Sequence, residues 1–168
     1  MTIKTGDKLP DGKLIECTEF DSANGCPINP QTLNVADLVK GKKIVIFGLP
    51  GAFTPTCSLK HLPGYLAHRD ALAAKGVDEV WCLAVNDHFV MALWGRDQQV
   101  QGKIRMMADG SAEYAKKLGL ERDLTANGMG IRCQRFAMIV DDGVVKYLGV
   151  EGSGQFELST AETVLSKL

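Results

Sequence analysis

One cysteine of this chain lies in a sequence context that would activate its sulfur. Cys57 ends the segment PGAFTPTC, which begins at Pro50 and follows a continuous apolar stretch at residues 43–49. That stretch predicts a buried strand and the leucines after Cys57 predict a helix, so Cys57 is expected in the first turn of that helix. Backbone N–H groups there lack intrahelical partners, and the helix dipole adds partial positive charge. Both effects favour a reactive thiolate over a thiol.

Thiolate formation alone is too small an effect for an efficient cysteine enzyme. Raising the ionised fraction of a thiol from about 3% to about 90% at pH 7 gives about a 30-fold gain, or roughly 2 kcal/mol of barrier. Positioned hydrogen-bond donors must supply the rest by stabilising charge on the reacting atoms. The candidates are the Thr54 hydroxyl, the loop N–H groups and an arginine from elsewhere in the fold. Two prolines, Pro50 and Pro55, together with Gly51 would hold the loop in one shape around the sulfur.

The elements that would position this loop alternate along the chain. Strands are predicted at residues 43–49, 79–85 and 103–107, and a hairpin at residues 135–148 turns at the sequence DDG. Helices are predicted after Cys57 as far as Gly76, from Asn86 or Asp87 onwards, at residues 111–118, and from a capping Ser159 onwards. This alternation predicts an α/β fold, a three-layer sandwich in which helices flank a central mixed sheet.

Length and composition favour one globular domain. The chain has 168 residues, of which 45% are hydrophobic and 23% charged, so a single domain over residues 1–168 is expected. Residues 1–40 carry turn-forming residues between short apolar pieces. We expect them to form an irregular or hairpin cover over the rest of the domain.

Charge and hydropathy exclude several classes of function. The 19 Lys and Arg residues against 20 Asp and Glu residues give a net charge of -1, which leaves no large basic field for nucleic acid or an anionic membrane surface. No apolar stretch is long enough to span a bilayer, and the N-terminus does not have the pattern of a secretion signal. Five cysteines without regular spacing favour a reducing compartment, so we expect a cytoplasmic protein.

Several motifs in a consistent order resemble one family. Pro50, Thr54 and Cys57 reproduce the P-x-x-x-T-x-x-C motif of the peroxiredoxins, and PGAFTPTCS resembles their type II (atypical, five-type) subfamily. The likeness continues in HLPGY (61–65), VND (85–87), FV (89–90), WGR (94–96) and RFAMIV (135–140). The resemblance implies a thioredoxin-like fold and reduction of hydrogen peroxide and alkyl hydroperoxides through a cysteine sulfenic acid, with no metal or organic cofactor.

The resemblance also implies roles for individual residues. Cys57 matches the peroxidatic cysteine, Thr54 matches the residue whose hydroxyl contacts sulfur and peroxide, and Pro50 matches the proline that shields the pocket. Gly51 lies between these residues and is expected to help bind the peroxide.

The family's active-site arginine has two candidates in this chain. Arg135 stands directly before the predicted strand FAMIV, and Arg132 is the alternative. Strand position decides where a side chain points, and it favours Arg135. The implied mechanism is a displacement, in which the Cys57 thiolate attacks one peroxide oxygen while Arg135 and Thr54 stabilise charge on the departing one.

The residue that resolves the sulfenic acid is the open question. Type II members with an internal disulfide often carry a second cysteine in the stretch corresponding to residues 154–161, and this chain has none there. Cys82 matches a position that is cysteine in several relatives, but its apolar surroundings equally predict a buried, inert thiol. Cys133 is a weaker candidate for the same role. We therefore expect a one-cysteine cycle recycled by glutathione, with or without glutaredoxin, and thioredoxin is the competing reductant.

Two other functions would use the same cysteine. A thiol–disulfide oxidoreductase would carry C-x-x-C, whereas Ser58, Leu59 and Lys60 follow Cys57. A non-enzymatic redox sensor stays open, because sensing also needs a reactive thiolate. A homodimer is expected from the resemblance.

Overall fold

Strands and helices alternate along the chain in the computed structural model, which describes residues 1–168. The strands are β1 (Lys13–Glu16), β2 (Glu19–Phe20), β3 (Pro27–Ile28), β4 (Gln31–Asn34), β5 (Lys43–Gly48), β6 (Glu79–Ala84), β7 (Arg105–Ala108), β8 (Glu121–Leu124), β9 (Gly130–Cys133), β10 (Phe136–Asp141) and β11 (Val144–Val150). The α-helices are α1 (Val35–Leu38), α2 (Leu62–Ala67), α3 (Arg69–Ala74), α4 (His88–Asp97), α5 (Glu113–Leu118) and α6 (Ala161–Lys167). No helix is long and apolar enough to cross a membrane.

Seven strands form the central sheet in the order β11-β10-β5-β6-β7-β1-β4. β5, β6 and β7 are parallel, whereas the strands on either side of them run antiparallel. Parallel neighbours need crossover connections, which the helices between β5 and β7 supply. Helices α2, α3, α4 and α6 pack on one face of the sheet and α1 and α5 on the other. The predicted α/β sandwich with a central mixed sheet is confirmed.

The central strand β5 shows why both faces of the sheet are covered. Its sequence KIVIFG is apolar at successive positions, and successive side chains of a strand point to opposite faces. Val45 and Phe47 pack into one core layer, and Ile44 and Ile46 pack into the other. A strand buried on both faces in this way requires helices on both sides of the sheet.

The N-terminal forty residues do more than cover the domain. β1 and β4 pair with each other, and β1 also pairs with β7, so this pair extends the central sheet. Within this segment β2 and β3 form a two-stranded sheet of their own, as β8 and β9 do later in the chain. Eight residues of this segment, in β1 and β4, thus belong to the central sheet.

Two local details differ from the sequence prediction. The last helix is capped by Thr160, whose hydroxyl accepts from the Thr163 N–H at 3.1 Å, and the predicted capping residue Ser159 is instead fully buried. The predicted helix after Cys57 is divided into a π-helical turn (Cys57–His61), α2 and α3. Pro63 occupies the first turn of α2, where its missing N–H costs nothing.

Candidate active site

The loop between β5 and the following helix is held by three polar contacts. The Ala52 N–H donates to the Asn86 side-chain oxygen at 2.9 Å, and the Arg132 guanidinium donates to the Pro50 carbonyl at 3.4 Å. The Thr54 hydroxyl donates to the Gly51 carbonyl at 2.8 Å, which closes the turn on itself. These contacts fix the backbone just ahead of Cys57.

Gly51 permits the close approach of Arg132 to this loop. A Cβ atom at Gly51 would lie 2.8 Å from the Arg132 Nη1 atom, too close for van der Waals contact. A larger residue there would displace the arginine or open the loop. Gly51 is thus a packing requirement of the site, and its predicted role in binding the peroxide stays a prediction.

Cys57 begins the π-helical turn and is completely buried. Pro55 stands at the start of the helical segment, where a proline is well tolerated. The N–H of Leu62 donates to the Cys57 carbonyl. This five-residue spacing defines a π turn, and such turns are frequent at functional sites. The expected position of Cys57 at a helix start is therefore found, but in a π turn rather than in a regular α-helix.

Arg135 is the side chain that the structure brings to the sulfur. Its Nη2 atom donates to the Cys57 Sγ atom at 3.3 Å, and its Nη1 atom lies 3.0 Å from the Nδ1 atom of His61. Arg132, the alternative, bonds the carbonyls of Met129 and Pro50. The guanidinium beside the sulfur thus belongs to Arg135, directly before β10.

The Thr54 hydroxyl does not bond the sulfur in this conformation. Its hydrogen is engaged by the Gly51 carbonyl, so its oxygen lone pairs are available to accept a hydrogen bond. The predicted contact between Thr54 and Cys57 is therefore replaced by a contact within the loop.

His61 contacts Arg135, although the sequence analysis gave it no role beyond its place in the HLPGY segment. It is buried, and its Nε2 atom lies 3.0 Å from the Ser159 carbonyl. A carbonyl can only accept and a guanidinium can only donate, so Nε2 carries the hydrogen and Nδ1 accepts from Arg135. Burial, and next the positive charge of Arg135, lower the pKa of His61 from 6.5 to about 3. His61 is therefore neutral and orients Arg135.

Aromatic rings enclose this pair from two sides. The Phe47 and Tyr65 rings stack at a centroid distance of 4.1 Å, and the Tyr65 hydroxyl donates to the same Ser159 carbonyl at 2.8 Å. Phe156 meets His61 edge-on at 5.2 Å and lies 5.9 Å from the Arg135 guanidinium carbon. The packing holds His61 and Arg135 in one orientation relative to the sulfur.

The neutral state of His61 predicts a pH dependence of stability. In the unfolded chain the imidazole binds a proton below its ordinary pKa of 6.5, whereas in the folded protein it stays neutral down to about pH 3. As the pH falls below 6.5, the unfolded state takes up a proton that the folded state does not. The stability that the protein has above pH 6.5 therefore decreases below it. Between pH 7.5 and 5.5 the free energy of unfolding should fall by about 1 kcal/mol in urea titrations.

A His61→Gln variant tests this assignment, because glutamine does not titrate in that range. Its free energy of unfolding should change much less between the two pH values, whereas His88→Gln should behave as the wild type. An equal fall in His61→Gln would show that another group is responsible.

The remaining cysteines lie at different depths and in different layers. Cys82, in β6, shares the core layer of Cys57, and Cys133 lies in the layer on the opposite face of the sheet. Both are fully buried, and burial raises the pKa of each thiol well above its ordinary value. Cys17 is buried and donates to the Ile28 carbonyl, and Cys26 is exposed.

Three large apolar side chains on the turn that carries Cys57, the loop before it and helix α4 are exposed. Phe53, Leu59 and Phe89 are 56%, 76% and 50% exposed. Phe53 has a φ of 64°, which is unusual for a bulky residue, and its ring lies 6.3 Å from that of Trp94. The Trp94 indole in turn donates to the Ser58 hydroxyl at 3.1 Å, which ties α4 to the turn that carries Cys57.

Comparison with known proteins identifies the family. A family model described as Redoxin matches residues 4–165. Peroxiredoxin-2B of Arabidopsis thaliana is 45% identical over 166 residues, which cover 99% of this chain and 98% of the relative. The chain belongs to the peroxiredoxin family. Its resemblance to the type II subfamily is thereby confirmed, and as a peroxiredoxin it is a thiol peroxidase.

Solved peroxiredoxins share the fold of this one. Reduced Prx3 of Vibrio vulnificus, determined in complex with hydrogen peroxide, is 47% identical, with a TM-score of 0.89 and coverage of 98% of both chains. Peroxiredoxin 5 of Alvinella pompejana is 32% identical, with a TM-score of 0.82 and coverage of 98% of this chain and 97% of the other. The predicted thioredoxin-like architecture of the peroxiredoxins is therefore confirmed over almost the whole chain.

Proposed function

We propose that Cys57 is the peroxidatic cysteine and that it reduces hydrogen peroxide and alkyl hydroperoxides. Its thiolate attacks the terminal oxygen of the hydroperoxide, a bond forms between sulfur and that oxygen, and the O–O bond breaks. The sulfur is oxidised to sulfenic acid, and the departing oxygen takes up a proton and leaves as water or alcohol. The hydrogen peroxide bound to the related Vibrio vulnificus Prx3 supports this substrate class.

The observation that carries the proposal is the contact of Arg135 with the sulfur. A guanidinium 3.3 Å from Sγ stabilises the thiolate before the reaction, and its further N–H groups would stabilise negative charge on the departing oxygen. His61 keeps the guanidinium in place at 3.0 Å without adding a competing charge. Thr54 would accept the O–H of the peroxide, because its own hydrogen is bonded to Gly51.

We further propose that an external thiol recycles the enzyme. Cys82 and Cys133 are fully buried, and their raised pKa values keep them as thiols, the unreactive form. Glutathione, with or without glutaredoxin, is the proposed reductant. A thioredoxin-dependent cycle with Cys82 as the resolving cysteine is the alternative, favoured by the common core layer of Cys82 and Cys57.

Turnover of a Cys82→Ser variant decides between the two cycles. With glutathione and glutaredoxin, the wild type should consume many equivalents of peroxide, and Cys82→Ser should retain at least about half of that rate because Cys82 takes no part. Mass spectrometry of peroxide-treated wild type should show oxidation at Cys57 and no peptide that links Cys57 to Cys82. A linked peptide would establish the two-cysteine cycle, and consumption that stops after one equivalent would indicate a sensor.

We also propose that the protein is a homodimer. Phe53, whose ring lies 6.3 Å from that of Trp94, and Leu59, in the turn after Cys57, are both exposed, and exposed apolar side chains of this size mark association surfaces. Sedimentation velocity would measure the mass in solution, and a monomer at micromolar concentration would contradict the proposal.

A cytoplasmic location fits the state of the cysteines. All five are free, as expected in a reducing compartment. Immunoblotting of cell fractions tests this, and recovery in an oxidising compartment would contradict it.

A further inference from the structure

A polar cleft lies beside the candidate active site, with Pro50, Thr56 and Arg135 in its lining. Its volume is about 410 Å³, and its lining includes Arg135, the residue that bonds the Cys57 sulfur. Small-molecule sites commonly have volumes of about 300–1,000 Å³, so the cleft is of the size that a tripeptide needs. Phe156 is the one hydrophobic residue of the lining. Cys57 itself does not line the cleft, and Arg135 is the residue that connects the cleft with the sulfur. The composition of the lining suits a small polar molecule.

Unpaired positive charge dominates the walls of this cleft. Lys60, from the turn after Cys57, and Arg122, from β8, both line it and are both exposed. Neither forms an ion pair or a side-chain hydrogen bond, so both charges are free to bind a ligand. The only acidic lining residue is Glu151, whose carboxylate already accepts from the backbone N–H groups of Glu157 and Ser159.

The position of Arg122 destabilises the β8–β9 pair unless a negative charge lies nearby. In the β8–β9 pair Arg122 stands directly opposite Arg132, and like charges in directly opposite positions destabilise a sheet. Arg132 is occupied by the carbonyls of Met129 and Pro50, whereas Arg122 has no partner. An anion in the cleft would offset this repulsion.

We propose that this cleft binds the reductant and that Lys60 and Arg122 select a small thiol with free carboxylates, of the glutathione class. The inference rests on the proposed function, since it concerns the thiol that reduces the Cys57 sulfenic acid. The thiol sulfur attacks the sulfenic sulfur, the S–O bond breaks, and the hydroxyl leaves as water with the thiol proton. A second thiol then attacks the mixed disulfide, which yields the external disulfide and returns Cys57 to its thiol form.

A pair of probes with the same thiol isolates the contribution of the carboxylates. Wild type and a Lys60→Gln/Arg122→Gln variant are first oxidised with one equivalent of hydrogen peroxide. Each is then reduced in a stopped-flow instrument with glutathione or with glutathione diethyl ester, whose carboxylates are blocked. The rate constant with glutathione is divided by the rate constant with the diethyl ester. This ratio should be about fivefold to tenfold lower in the double variant than in the wild type, as expected for the loss of two exposed ion pairs.

Salt and a matched variant separate local binding from net charge. In the wild type, 0.5 M NaCl should lower the same ratio, because exposed ion pairs are screened. A Lys13→Gln/Lys116→Gln variant, which loses two exposed lysines outside the cleft, should keep the wild-type ratio.

An unchanged ratio in Lys60→Gln/Arg122→Gln, together with normal turnover, would overturn this inference and leave the proposed function intact. The double substitution could instead slow oxidation by a carboxylated hydroperoxide, relative to the wild type, while it leaves oxidation by cumene hydroperoxide and the glutathione ratio unchanged. The carboxylate site would then belong to the peroxide, and the inference would be wrong. Failure of the wild type to form a sulfenic acid would instead refute the proposed function.

Discussion

Replacing Cys57 with serine is expected to abolish peroxide turnover while the fold stays intact. A serine hydroxyl stays protonated at neutral pH and does not form the oxygen adduct that a sulfur does. No other cysteine is placed to substitute, because Cys57 is the one thiol that contacts Arg135. The loss should exceed about 10³-fold, as when a nucleophile is removed from other covalent enzymes.

The fold should tolerate this substitution because serine is smaller than cysteine and polar. Arg135 would donate to the serine oxygen in place of the sulfur, so the buried hydroxyl would not lack a partner. Circular dichroism and the unfolding midpoint should therefore stay near those of the wild type. Cys26→Ser, which changes an exposed thiol, is the matched control and should retain full activity. Turnover of Cys57→Ser within tenfold of the wild type would remove Cys57 from the mechanism.

The sheet was predictable because its central elements carry unambiguous local signals. The apolar sequence of β5 predicts a strand buried on both faces, and the structure places this strand inside the sheet between β10 and β6. The turn between β10 and β11 is equally clear, since Asp142 and Gly143 both adopt positive φ values of 47° and 78°. Aspartate followed by glycine is the sequence that such hairpin turns favour.

The β8–β9 hairpin and the broken helix could not be predicted in the same way. β8 is exposed over most of its length, so its sequence ERDL has no apolar alternation. The end of α2 at His68 is stabilised by a local contact, in which the His68 ring bonds the Gly64 carbonyl at 2.9 Å. Helix periodicity continues through such a break, and only the three-dimensional structure reveals it.

The sequence analysis named two side chains that the structure brings together, but it missed a third that contacts one of them from a distant position. Cys57 and Arg135 were predicted from motifs, and they are 3.3 Å apart although 78 positions separate them. His61 was missed because its partners Arg135 and Ser159 lie 74 and 98 residues away. The segment HLPGY, which was noted only as part of the resemblance, was the available signal.

Substitution of Arg135 is expected to have the second largest effect, and it should act on the oxidation step. Arg135→Ala removes the donor at 3.3 Å from the sulfur, and with it the charge that would stabilise the departing oxygen. Loss of one such donor costs other enzymes about 10²- to 10³-fold. The second-order rate constant for oxidation by hydrogen peroxide, measured by stopped flow, should fall by about 10²-fold or more.

A lysine at this position shows whether the geometry matters as well as the charge. Arg135 bonds Cys57 and His61 through two nitrogens of a planar fork, whereas an ammonium is a single point charge. Arg135→Lys should therefore react at a rate between those of the wild type and Arg135→Ala. The alanine variant also leaves the buried Nδ1 atom of His61 without a donor, which should cost about 1–3 kcal/mol of stability.

Arg132→Ala provides the contrast that separates the two arginines. Arg132 bonds only backbone carbonyls of the loop and of the β8–β9 turn, so its removal should loosen the Pro50 segment and slow oxidation by less than about tenfold. The effects should therefore differ by an order of magnitude, in favour of Arg135. If Arg132→Ala were the slower variant, the guanidinium that acts in the transition state would be the one on β9, and the contact at the sulfur would be a feature of the resting enzyme alone.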